Sequence, residues 1–259
     1  MNRILTIVDK EWAEVFKNQL VLFSMLFPPL IFTILPLVIL SQIGHSAGRG
    51  ANLPPNFVAT CGSLSTPVCL QIFTVNEFLL FYMLMPVIIP NIIAAYSIIG
   101  EKTTHSLEPL LATPISTSEL LTGKSLAAVI PAVLVTWFSF VIFISVLPLV
   151  GVGQAVLVYV TSPTWLLAIL LAGPFMAILS VNFALLISSR VNDPRAAQQI
   201  SVVLILPLLL VLFGQIAGFV VLNPTNMLLF ILALAIIDVA LIFTGARLFQ
   251  REIILTRWK

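Results

Sequence analysis

Six apolar runs divide this chain of 259 residues, each about 20 residues long, the length one α-helical crossing of a bilayer's hydrocarbon core requires. They lie at 20–40, 78–99, 125–150, 165–188, 200–222 and 227–249. The chain therefore reads as an all-α membrane protein, a single transmembrane domain over 1–259. Composition closes the alternative: 60% of residues are hydrophobic and 8% charged, whereas a soluble domain carries roughly a quarter charged residues. A soluble globule is excluded.

If these runs span, the cations sort by side. Arg3, Lys10 and Lys17, then Lys102 and Lys124, then Arg190 and Arg195, and finally Arg247, Arg251, Arg257 and Lys259 fall on one face, and Arg49 alone falls on the other. The positive-inside rule makes the first face cytoplasmic and puts both termini there, as an even number of spans demands. The expected location is the plasma (inner) membrane. A formal net charge of +2 polarised in this way suits anchoring to anionic inner-leaflet lipid rather than a nucleic-acid surface. No cleavable signal is expected, because the first apolar run follows nearly twenty mixed residues and is long enough to span.

Segment 1–19 has a helical period of its own. Ile4, Leu5, Val8, Trp12, Val15 and Phe16 share an arc of about 120° at 100° per residue, with Arg3, Lys10, Glu14 and Lys17 opposite. Two placements fit such a helix: an elbow lying in the inner lipid interface, or a helix packed on protein. Pro28, Pro29 and Pro36 interrupt the first span and Pro86 and Pro90 the second, each removing a backbone bond. The extracellular loop 41–77 holds Cys61 and Cys69. Disulfides persist on that side, so a bridge worth about 2–3 kcal/mol by loop-closure entropy is expected there, against two free thiols.

Catalytic signatures are missing. His45 and His105 fall on opposite faces, so no metal site is expected. Gly123-Lys124-Ser125 imitates the end of a phosphate-binding loop, but its first glycine is replaced by Ser118 and no buried strand precedes it. There is no Gly-x-Ser-x-Gly elbow, and the chain is not read as an enzyme.

The informative stretch is the loop 100–124. Glu101 and Lys102 are followed by Leu107-Glu108-Pro109-Leu110-Leu111-Ala112-Thr113-Pro114, and then by Glu119-Leu120-Leu121-Thr122-Gly123-Lys124. This order resembles the signature of the ABC type-2 exporter permeases, a Glu-rich start leading to Thr-Leu-Glu-x-Leu-Leu-x-Thr-Pro and then Glu-x-Leu-x-Gly-Lys. The chain departs from it at Thr103-Thr104-His105-Ser106, where Arg-x-x-Gly-Thr is usual, and at Pro109. The Glu-Ala-Ala signature of importer permeases is absent.

The resemblance implies six spans, an amphipathic elbow and a cytoplasmic coupling helix over 100–124. That helix would dock on separate ABC ATPase subunits through Glu101, Lys102, Leu107, Glu108, Leu110, Leu111, Thr113 and Pro114. Leucines beside carboxylates suit seating in a groove with a basic rim. The resemblance further implies pairing with a second permease copy, as homodimer or heterodimer. No cofactor is expected in this chain; ATP and Mg belong to the partner. In the second inner loop, Asp193 and Pro194 read as the start of a helix, with contact to the same partner as an alternative role.

One ionisable residue falls inside a span. Asp238 lies eleven residues after Met227 and eleven before Phe249, where an acidic group costs about 2.5–3.5 kcal/mol. It reads either as an ion relay or substrate contact, or as a carboxyl bonded to Asn182, Gln215 or Asn91. The primary function expected is the permease subunit of an ATP-driven exporter. The rivals are a secondary transporter using Asp238, which predicts an inverted repeat not evident here, and a non-transporting scaffold.

Overall fold

The computed structural model describes residues 2–45, 61–62, 64–103, 116–188, 191, 193–217, 219 and 222–248, and all regular structure among them is helical. The chain is an all-α protein with six helices long and apolar enough to cross a membrane: Gln19–Ile43, Thr66–Ser97, Ser118–Val150, Gln154–Ser188, Gln199–Ile216 and Pro224–Gly245.

Helix α1 (Asn2–Lys17) is separated from α2 (Gln19–His45) by a single residue. The Asn18 Oδ1 accepts the backbone N–H of Leu20 at 3.1 Å and of Val21 at 3.4 Å, capping the new helix where its first donors lack partners. Helix α2 then runs through Pro28, Pro29 and Pro36 without interruption.

The second span begins earlier than hydropathy suggests. Helix α3 (Thr66–Tyr82) starts twelve residues before the expected position 78 and takes in Gln71 and Asn76, both buried against protein. Such polar side chains read as loop in a linear scan, yet a span that faces other helices tolerates them. The bridge Cys61–Cys69, with its Cα atoms 5.7 Å apart, ties the first turn of α3 to the segment before it.

Pro86 cannot donate to the carbonyl of Tyr82, so α3 ends and α4 (Met85–Thr103) begins after a turn at Met83 and Leu84. Helix α5 (Thr117–Val146) continues through a 3₁₀ turn to Val150. The fourth span starts at Gln154 rather than 165 and is built in pieces: α6 (Gln154–Val160), α7 (Pro163–Leu167), a π-helical turn (Ala168–Ala172) and α8 (Gly173–Ser188). Extended Ser162 followed by Pro163 bends the chain without ending the crossing. Helix α9 (Pro194–Ser201), a 3₁₀ turn (Val202–Ile205), α10 (Leu206–Ile216) and α11 (Pro224–Leu248) complete the chain.

Helices α4 and α8 form the centre, packed on each other and both on α5 and α9; α2 covers α3, α4 and α5, while α11 lies on α8, α7 and the π turn. Buried alanines at 128, 132, 172, 177 and 184 let these backbones approach closely. Tyr82, Phe143 and Trp165 fill the middle. Phe23, Leu210 and Phe243 are among the large apolar side chains left exposed on α2, α10 and α11, as suits helices that face lipid.

Candidate functional site

The residues with chemistry gather in two places. The first is where α1, the end of α4 and the start of α5 meet. Helix α1 lays Ile7, Val8, Glu11 and Val15 against α5, a buried stripe at i, i+1, i+4 and i+8. Its Trp12 Nε1 donates to the Ala127 carbonyl at 3.0 Å. Of the two placements open to an amphipathic helix, packing on protein accounts for this face, while Leu5 and Phe16 remain exposed along its edge.

In the middle of that face is an ion pair. The Lys124 Nζ donates to Glu11 Oε1 at 2.7 Å and to Ser97 Oγ at 2.8 Å, so one ammonium joins α5 to α1 and α4. The Lys124 and Glu11 side chains are 5% and 2% exposed. Two charges so placed hold each other, since removing either partner leaves the other buried and uncompensated.

Beside it, Gly123 lets α1 come close. A Cβ at 123 would lie 2.8 Å from Ile7 Cγ2 and 2.9 Å from Ile7 Cβ, distances no side chain tolerates. Two turns earlier, Ser116 caps α5: its Oγ accepts the Glu119 N–H at 3.2 Å, and the Glu119 carboxylate accepts the Ser116 N–H at 2.8 Å.

Glu119, Gly123 and Lys124 thus have separate physical tasks, to start the helix, to admit α1 and to pin it. Sequence reading placed these three in a motif but did not find Glu11, Ser97 or the Ile7 contact. The signal available for Glu11 was its position beside Ile4 and Val15 on the helical wheel, where a charge needs a partner.

Of the expected docking residues, Glu101 and Lys102 belong to the last turn of α4. Leu107, Glu108, Leu110, Leu111, Thr113 and Pro114 lie outside the described residues. The segment they occupy is bracketed by Thr103 and Ser116, and so by the two helices that Lys124 fastens together. Helix α9 reaches the same end, where Ala197 packs on Ala95.

The second place is inside the spans. Asp238 is 3% exposed, and neither of its carboxylate oxygens has a hydrogen-bond partner among the described residues. The expected bonds to Asn182, Gln215 or Asn91 are not made, and Gln215 Oε1 and Asn91 Oδ1 are themselves buried without partners. For Gln215 the reason is packing: α11 lies on α8, α7 and the π turn, whereas α10, which carries Gln215, leans on α3. Asn182 instead lines a groove of about 260 Å³ between α5, α8 and α11, with Thr122, Ser125, Ile178 and Leu241 around it.

A third polar group ties the early part of the second span to the fourth. The Tyr159 hydroxyl donates to Asn76 Oδ1 at 2.5 Å. A family model described as an ABC-2 family transporter protein matches residues 5–251, which covers both places. No curated protein matches the chain.

Proposed function

The chain belongs to the ABC-2 family of transporter proteins, as a multi-pass membrane subunit that is not itself catalytic, and from that premise we propose that it is the permease of an ATP-driven exporter. Two copies, identical or paired with a homologous chain, form the pathway in the plasma (inner) membrane, with both termini cytoplasmic. Separate ATPase subunits carry ATP and Mg and grip the segment 104–115. Nucleotide binding there shifts the bundle between two packings, which requires that the partner bind one packing better than the other.

The observation that carries this reading is the clamp beside that segment. A handle transmits force only if its two ends are fixed to something stiff. Here α4 and α5 are joined by Lys124 to Ser97, and α1 is locked across them by Glu11, Gly123 and Trp12. A buried ion pair is a poor source of stability compared with apolar packing, so its presence at this junction fits a need for fixed geometry. Leu107, Glu108, Leu110 and Leu111, with Glu101, Lys102, Thr113 and Pro114, are the residues by which the motor would hold the chain.

The test is co-purification of the full chain with an ABC ATPase followed by measurement of ATPase stimulation. Glu108→Lys is expected to abolish stimulation while leaving the amount of folded permease unchanged. Unchanged stimulation overturns the docking proposal. Substrate flux through the purified chain without any ATPase would instead favour a secondary transporter.

A further inference from the structure

Asp238 has no hydrogen-bond partner among the described residues. It is 3% exposed, and a charged carboxylate at such depth is costly unless it is neutralised or compensated. Along α11, residues 241, 242 and 245 follow 238 at i+3, i+4 and i+7, which puts all four on one helical face. Leu241, Ile242 and Gly245 line the groove between α5, α8 and α11. Asp238 therefore stands three residues beyond the innermost of them, about 4.5 Å along the axis, and does not itself line the groove.

The walls of that groove are mostly apolar, with Leu126, Val129, Ile178 and Leu185 opposite α11 and Thr122, Ser125 and Asn182 among them, and no lysine or arginine among the described residues lines it. We propose that the groove binds a lipophilic monoammonium compound, its hydrocarbon part between α5, α8 and α11 and its ammonium against Asp238. At about 260 Å³ the space is just below the usual range for small-molecule pockets, about 300–1,000 Å³, and suits one chain or ring system rather than a phospholipid. Position argues the same way. Asp238 is ten residues from Leu248 at the end of α11, about 15 Å of helix at 1.5 Å per residue, too deep for an ammonium whose phosphate stays at the interface. Calling the occupant cargo rests on the permease reading; its binding does not.

The experiment uses the full chain in phosphatidylcholine nanodiscs, with labelled decylammonium and, as neutral control, labelled decanol, each corrected for empty nanodiscs. The expected result is at least tenfold tighter binding of the ammonium, a preference that disappears in Asp238→Asn while decanol binding stays. Ile178→Trp, which narrows the groove, should weaken both ligands. Equal affinity for the two probes in the unmodified chain overturns the proposal, and that comparison needs no variant to fold. Competition by phosphatidylethanolamine nanodiscs would assign the carboxylate to a lipid headgroup and overturn it. So would a disulfide between two copies carrying Ile242→Cys, which would show the groove filled by a second chain. Because no ATPase is present, failure here leaves the permease reading standing, and failure of ATPase capture leaves this binding intact.

Discussion

Glu11 and Gly123 set how α1 seats on α5, the one by pairing with Lys124 and the other by leaving room for Ile7. Lys124→Met removes the cation from a pair with both members buried and strands Glu11, at a cost of about 3–5 kcal/mol. A clear drop in the melting temperature of the purified chain is the expected readout. Adding Glu11→Leu should recover much of that loss, because two apolar residues replace the pair without an orphaned charge; additive losses would show that the two are not coupled. Gly123→Ala isolates sterics from charge. Alanine in a helix interior normally gains up to about 1 kcal/mol over glycine, yet here the new methyl meets Ile7 at 2.8 Å. The expected outcome is the opposite sign: lower stability and faster proteolysis within α1. These residues were half legible. Glu119, Gly123 and Lys124 stand out as a pattern, but a pattern does not say which neighbour each one serves. Glu11 lies at the edge of the apolar arc of α1, and the sequence does not say that the chain folds Lys124 back to meet it there.

Between elements, the second and fourth spans are irregular where they meet. The turn at Met83 and Leu84 lies near the π turn Ala168–Ala172, and a Cβ on Gly173 would sit 3.8 Å from Pro86 Cγ, an ordinary contact. A π turn leaves backbone carbonyls without their helical donors in a medium without water, so side chains can take them up. Trp137 Nε1 donates to the Ile169 carbonyl at 3.1 Å, and Ser180 Oγ to the Val87 carbonyl at 2.6 Å. Trp137→Phe keeps the ring and deletes the donor; a loss of about 1 kcal/mol is expected, measured by thermal unfolding, and no change would mean that the π turn needs no support. The proline positions were legible as points of interruption, but what each would do was not. Pro86 follows the end of a helix, whereas α2 continues through Pro36. The same limit hid Thr66–Glu77 and Gln154–Thr164 from a hydropathy reading. Asn76 is acceptable within a span because Tyr159 meets it, and that pairing joins residues 83 positions apart.

At the scale of the molecule, charge distribution and packing bear on orientation by independent routes. Helix α1 brings Arg3, Lys10 and Lys17 to the end where Lys124 begins α5 and where α9 packs on α4. Packing alone, without any reference to a membrane, therefore gathers at one end cations that the alternation of spans had assigned to one face. Each such residue near an anionic leaflet contributes about 1 kcal/mol, enough in sum to fix the insertion of a bundle whose helices are otherwise apolar all round. The orientation is checked in whole cells with an impermeant maleimide, in a Cys61→Ser, Cys69→Ser background so that no native thiol reacts. Asn223→Cys, exposed at the start of α11, should label from outside; Lys17→Cys, at the end of α1, should label only after permeabilisation. Labelling of Lys17→Cys in intact cells would invert the molecule and carry the segment 104–115 outside with it, since the clamp holds α1 to both helices that flank it. No ATPase in the cytoplasm could then reach that segment, and the permease reading would fall by the same measurement.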